Sequence, residues 1–151
     1  LAKVEPLAGI ILGAFEAGEL TRTVVFGYHI PPMREMERRL VEGGLRVKVI
    51  RGDVPVSERT RICDAFRRGE LDVVIVQIIA GGVAIDLSTA RHGYALEIDW
   101  VPGNNWQAWN RMVSMDKPDA VTVDIVTLPG TSDEAINRVV ARRAMEVRNA
   151  V

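Results

Sequence analysis

Five short apolar runs, set apart by stretches of helical period, constrain this chain more than any other feature. They are residues 23–28 (TVVFGY), 46–50 (RVKVI), 71–76 (LDVVIV), 92–98 (HGYALEI) and 121–126 (VTVDIV). The first lacks the in–out alternation of a strand with one wet face, which predicts a strand covered on both faces. Helical segments fall between the runs. Leu7, Ile10, Ile11 and Ala14 recur at helical spacing, and Gly18 is the stop. Pro31 and Pro32 open a second helix whose Met33, Met36, Glu37 and Leu40 share a face, and Gly43-Gly44 closes it. Ser57 is read as the cap of a third helix, packed through Ile62, Ala65 and Phe66 and ended at Gly69. Thr131 with Glu134 forms a capping-box signature for a last helix, with the stripe Ile136, Val139, Val140, Ala144 and Val147. Strands alternating with helices in this way imply right-handed crossovers. The expectation is one doubly wound α/β domain over residues 1–151, with a mainly parallel sheet of about five to six strands and helices on both faces.

Ligands of such sheets sit beyond the carboxyl ends of the strands. That rule gathers residues 27–32, 51–59, 77–86 and 99–105 on one edge before any chemistry is considered. Composition narrows the classes: 48% hydrophobic and 26% charged residues fit a globular domain. No apolar run has the length of a membrane span, and Glu5, Pro6 and Glu16 interrupt the apolar N-terminal segment, so no membrane role is expected and the expected location is cytoplasmic. The single cysteine, Cys63, excludes an internal disulfide and a cysteine-based metal cluster, and its place within RICDAF reads as a buried helix position. A net charge of −1 argues against global attraction to nucleic acid. A local basic stripe remains open, because lysine occurs only at Lys3, Lys48 and Lys117 and the rest of the positive charge is arginine, suited to bidentate phosphate contact. The chain begins at Leu1 without methionine, which reads as a domain of a longer protein.

No GxxxxGK[ST] loop and no GxGxxG after the first strand are present, so the chain is not expected to cradle a nucleoside triphosphate alone. Gly81-Gly82, directly after the third strand, either lets backbone approach a phosphate or makes a tight strand exit. In residues 104–114, Trp106, Trp109 and Val113 form one helical face, while Gln107, Arg111 and Ser114 form another. A glutamine and an arginine one turn apart at a ligand edge can grip a phosphate; an arginine there can also be a solvated helix charge. His29 and His92 read as structural, and no Ser-His-Asp or metal-ligand spacing accompanies them.

Taken in order, these phrases resemble the C-terminal RecA-like lobe of the Swi/Snf-type superfamily 2 DNA-dependent ATPases, with most similarity to the annealing-helicase branch and its bacterial and phage relatives. The resemblance is carried by Ala2-Lys3, VVFGYH, GDVPVSER, FRRG, AGGVAIDL, DWVPG, QAWNR and GTSDE. It implies a lobe that shares ATP and magnesium with an N-terminal RecA-like lobe and acts on double-stranded or branched DNA, in the cytoplasm of a bacterial or phage-infected cell. Arg111 would reach the γ-phosphate and Gln107 would couple that contact to the neighbouring strand. Gly81 and Gly82 would permit close backbone approach, and Asp86 would lie near the ribose hydroxyls. Gly52, Ser57 and Arg59, with the turn after Gly27, would line the groove tracking a DNA strand. Trp100 falls near the DNA path, though burial explains it equally well. No residue is implied as a metal ligand.

The chain departs from this family at adjacent motifs. The second arginine, three residues beyond Arg111, is Ser114, and the phrase after it is Met115-Asp116-Lys117. Ala84 stands where a glycine is usual, and Gln77-Ile78-Ile79 replaces a segment with serine or threonine. Loss of an in-place arginine finger can lower rate by roughly a thousandfold or more. Two readings follow: a second motor lobe of a DNA helicase or translocase, or a catalytically degenerate lobe kept for DNA binding or partner docking. An unrelated α/β enzyme acting on a small molecule is a third.

Overall fold

The computed structural model describes residues 2–79, 85–113, 121–126, 137–141 and 147–150, the last two stretches as backbone alone. The chain order is α1 (Val4–Glu16), β1 (Thr23–Gly27), α2 (Ile30–Glu42), β2 (Val47–Ile50), α3 (Val56–Arg67), β3 (Val73–Gln77), β4 (His92–Ala95), α4 (Pro102–Trp109), a 3-10 turn (Asn110–Met112), β5 (Val121–Ile125), β6 (Asn137–Ala141) and β7 (Val147–Ala150). The strands form one sheet in the order β2-β3-β1-β4-β5-β6-β7. The first five positions are parallel, and β6 and β7 add antiparallel.

Apolar side chains of the central strands divide between two cores. Val24 and Phe26 of β1 and Val74 and Val76 of β3 pack on one face; Val25, Val73 and Ile75 pack on the other. The period of two is therefore real, but in β1 and β3 both of its faces are dry, which explains why these strands show no polar alternation. On the first face lie Ile62, Cys63 and Phe66 of α3 with Ala108 and Trp109 of α4. On the second lie Val4, Leu7, Ala8 and Ile11 of α1 and Met33, Met36 and Leu40 of α2. Helices thus cover both faces as expected. Each such large side chain, fully withdrawn from water, contributes about 1.5–3 kcal/mol before conformational entropy is counted.

Local chemistry sets the element ends. Gly18, Gly44 and Gly69 follow the first three helices with φ of 75°, 95° and 81°, the left-handed conformation that a side chain resists. Ile10 lies outside the buried stripe of α1 at 42% exposure, while Leu7 and Ile11 are wholly buried. Ser57 is not the cap of α3. Pro55 occupies that position, and its carbonyl accepts from the Glu58 and Arg59 N–H groups at 3.1 and 3.0 Å. Pro55 enters the helix in an extended conformation (φ −61°, ψ 153°), with no side-chain cap hydrogen bond.

The C-terminal expectation is corrected more substantially. In place of a helix striped by Val139, Val140 and Val147, residues 137–141 and 147–150 are strands, making seven in the sheet among the described residues. Val139 pairs with Val123 and Val140 with Thr122, so β-branched residues complete the open edge of β5. Thr131, Glu134, Ile136 and Ala144 lie outside the described residues.

Candidate functional site: the carboxyl edge of the parallel strands

Strand exits alternate between faces around β1. The chain leaves β1 toward α2 on one face, whereas its neighbours β3 and β4 lead to Ile78, Ile85 and Leu87, and to α4, on the other. Divergent exits of this kind open a crevice at the carboxyl edge. Three of the four sequence segments expected there, 27–32, 51–59 and 77–86, are joined by hydrogen bonds, and Glu97, just before the fourth, extends the set. Gly52 N–H donates to Gln77 Oε1 at 2.8 Å, and Gln77 Nε2 donates to the Tyr28 carbonyl at 3.0 Å. Tyr28 and His29 N–H both donate to Glu97 Oε1, at 3.0 and 2.9 Å, and the His29 ring meets Glu97 Oε2 at 2.7 Å. Gln77 and Glu97 were not singled out as site residues from sequence, since no local pattern marks them.

The first turn of α2 is consequently poor in free donors. Pro31 and Pro32 have no N–H, and the Tyr28 and His29 amides are occupied by Glu97. Gly27 is needed for packing: a Cβ there would lie 2.5 Å from Met33 Cγ. Burial pushes the Glu97 carboxyl up, but the His29 ring and the His29 and Tyr28 amides outweigh it and hold the group below its ordinary value. A carboxyl with a lower folded pKa adds stability above its unfolded value, about 4.3, and loses it as pH falls through the folded value. Glu97→Gln is therefore expected to narrow its stability gap to the wild type between about pH 5 and pH 3, measured by urea unfolding midpoints. A gap independent of pH would show that the charge has no part in this contact.

The residues expected to handle phosphate lie on two turns that meet at a neighbouring point. Gln107 is exposed on α4, and Arg111 is half-buried in the 3-10 turn that follows. The Arg111 carbonyl accepts from Leu87 N–H at 3.0 Å, which ties this turn to the one bearing Asp86. Met112 is fully buried and anchors the turn against β4, where a Cβ on Gly93 would stand 2.9 Å from its sulfur. Asp86 is exposed, and its Oδ1 accepts from Ser88 N–H at 2.9 Å. Cys63 is buried beneath this turn, and burial pushes its thiol up, as befits a packing residue. Gly81, Gly82, Ala84, Ser114 and Lys117 lie outside the described residues.

Arg59 is placed differently from an open phosphate contact. It is only 5% exposed, and its guanidinium donates to the Val54 and Gly52 carbonyls at 2.8 and 2.9 Å. It shapes the 51–55 loop from beneath, while Gly52 and Ser57 stay at the surface. Trp100 is resolved in favour of exposure: it is 98% exposed, beside Ile98 at 52% and Val101 at 55%. It borders a groove of about 270 Å³ that also touches Trp106, Trp109 and Pro102. Asp99 fixes the approach to this groove. It is held below the usual carboxylate range by the Val101 N–H and then by the Asn104 amide, while Asn105 exchanges hydrogen bonds with the Asp99 backbone at 2.8 and 3.0 Å.

Among the described residues, no three His, Cys, Asp or Glu side chains are grouped to hold a metal ion. No helix among those residues is long and apolar enough to cross a membrane.

A parallel five-strand core with helices on both faces is the RecA-like arrangement of helicase C-terminal domains. The chain belongs to the family described as the helicase conserved C-terminal domain, which matches residues 2–116. It is 28% identical over 122 residues to the DNA annealing helicase and endonuclease ZRANB3 of Bos taurus, covering 80% of this chain and 11% of that protein. It is 22% identical over 130 residues to the helicase-like transcription factor CHR27 of Arabidopsis thaliana, covering 85% and 12%. The C-terminal part of the Fun30 ATPase domain superposes with a TM-score of 0.66 at 19% identity, covering 73% of this chain and 36% of that one. These relatives tie the chain to Swi/Snf-type helicases. The chain spans about a tenth of the length of these two relatives. Relatives are both eukaryotic and bacterial, so the expected bacterial or phage origin gains no support. Family membership also removes the reading as an unrelated small-molecule enzyme.

Proposed function

We propose that this chain is the second motor lobe of a Swi/Snf-like, DNA-dependent ATPase, supplying nucleotide-sensing and DNA-backbone-binding loops to a cleft completed by an N-terminal RecA-like lobe. The observation that carries the reading is the 3.0 Å hydrogen bond from Leu87 N–H to the Arg111 carbonyl, which unites the Asp86 and Arg111 turns at the sheet's ligand edge. Arg111 offers a guanidinium to the γ-phosphate, Gln107 an amide beside it, and Asp86 an exposed acceptor for ribose hydroxyls. Gly81 and Gly82 remain part of the reading through their sequence position. Magnesium-bound ATP is the cofactor, and its hydrolysis supplies the energy for movement. The magnesium ligands belong to the other lobe. Trp100 offers an exposed aromatic face to DNA, and the 51–57 loop offers backbone contacts that require no base sequence.

A second reading, a degenerate lobe retained for DNA binding or partner docking, is favoured by Ser114 and Met115-Asp116-Lys117 at the arginine-finger motif. The two are separated by phosphate release from a protein joining this chain to its N-terminal lobe, with duplex and branched DNA added. The motor reading expects turnover stimulated by DNA and none from the chain alone. Turnover by the chain alone would refute it. DNA binding by the joined protein without turnover would move the conclusion to the docking module.

A further inference from the structure

The hydrogen bonds at the ligand edge run as one chain transverse to the strands. Gly52 follows β2, Gln77 ends β3, Tyr28 follows β1 and Glu97 follows β4, and this is the order in which the four strands stand in the sheet. The regular ladders stop at Ile50, Gln77, Gly27 and Ala95. Past them the loops have no periodic pairing to fix their spacing, and side chains take over. Gln77 is the one member that reaches in both directions: its carbonyl oxygen accepts from the β2 exit and its amide nitrogen donates to the β1 exit. An uncharged amide has both capacities at once, whereas an ionised carboxylate accepts but cannot donate.

The loop after β2 is clamped from its other side too. The Gly52 carbonyl accepts from buried Arg59 at 2.9 Å while its N–H is held by Gln77, and a Cβ on Gly52 would already lie 3.4 Å from Gln77 Oε1. The Tyr28 backbone is likewise held at both ends, its carbonyl by Gln77 and its N–H by Glu97. Two loops are thus each gripped twice, and Gln77 is the group common to both.

We infer that Gln77 is a positioning residue, which holds the 51–55 loop at a set distance from the 28–32 turn and so fixes the width of the track offered to a nucleic-acid backbone. This rests on the reading of that edge as DNA-binding. The residue touches no phosphate itself; it acts through the backbone of Gly52 and Tyr28. Pre-ordered loops need not be immobilised on binding, which is where the affinity originates.

The test uses this chain, a fluorescein-labelled duplex followed by anisotropy, and amide exchange of Gly52 followed by NMR. Gln77→Ala is expected to speed Gly52 exchange by about tenfold or more and to weaken duplex affinity about fivefold or more, with the circular dichroism of the wild type retained. Gln77→Glu keeps the acceptor for Gly52 but loses the donor to Tyr28. Its affinity relative to wild type is expected to be low at pH 8 and to recover as the carboxyl takes up a proton on acidification, because the protonated form donates again. Should Gln77→Ala not fold, this pH-dependent ratio carries the test. Faster Gly52 exchange with unchanged affinity overturns the positioning role, as does a flat ratio for Gln77→Glu. A wild-type chain with protected Gly52 and no affinity for duplex overturns the DNA reading itself, and this inference with it.

Discussion

Arg111→Ala is expected to reduce DNA-stimulated ATP turnover roughly a thousandfold in a protein that joins this chain to its N-terminal lobe. The physical case rests on how the turn is held. Met112 is fully buried against Gly93, and the Arg111 carbonyl is bonded to Leu87 N–H, so the anchors are a neighbouring side chain and the backbone. Removing the guanidinium leaves these two contacts in place, and on the proposed reading the expected loss of turnover comes from charge stabilisation at the γ-phosphate. An interaction made only in the transition state lowers kcat and kcat/KM together, whereas a uniform binding contact raises KM. Steady-state phosphate release at saturating DNA, over a range of ATP concentrations, separates the two. Arg111→Lys should recover little, because a point charge lacks the guanidinium fork. Ser114→Arg is the complementary change and is expected to raise turnover by a similar factor if the absent finger is the sole defect. Equal turnover by wild type and Arg111→Ala would remove Arg111 from the reaction.

The parallel core was legible because burial on both faces writes itself into composition: Val24 and Phe26 face one core and Val25 the other, so no polar residue interrupts the run. The candidate edge could be placed from the same pattern, since parallel topology fixes which strand ends carry its loops. Its wiring was not. Gln77 and Gly52 are 25 residues apart and Glu97 and Tyr28 69 apart, and only strand order brings them within reach. Trp100 was ambiguous because a large aromatic fits either a core or an exposed face, and only its position past the β4 ladder leaves it 98% exposed. At the C-terminus a helical stripe and a strand's β-branched pair coincide in Val139 and Val140. The unpaired edge of β5 decides between them, and local spacing does not record it.

Arg59 gives the largest expected effect on folding. Arg59→Ala is expected to cost about 2–4 kcal/mol, because it removes charge-assisted hydrogen bonds to two loop carbonyls and empties the buried volume of a long side chain. For a domain of this size that corresponds to a fall in Tm of roughly 5–15 °C, measured by calorimetry. The same variant separates two roles for the residue. Were Arg59 a direct phosphate contact, its loss would lower the slope of log affinity against log salt by about one and leave Tm nearly unchanged. With the guanidinium donating to Val54 and Gly52 at 2.8 and 2.9 Å and only 5% exposed, the opposite pattern is expected: Tm falls, affinity weakens through a loosened 51–55 loop, and the salt slope stays as it was. Arg59→Lys should resemble alanine more than wild type, since one ammonium cannot span both carbonyls in the planar geometry of the guanidinium. An unchanged Tm with a reduced salt slope would return Arg59 to the DNA-contacting surface.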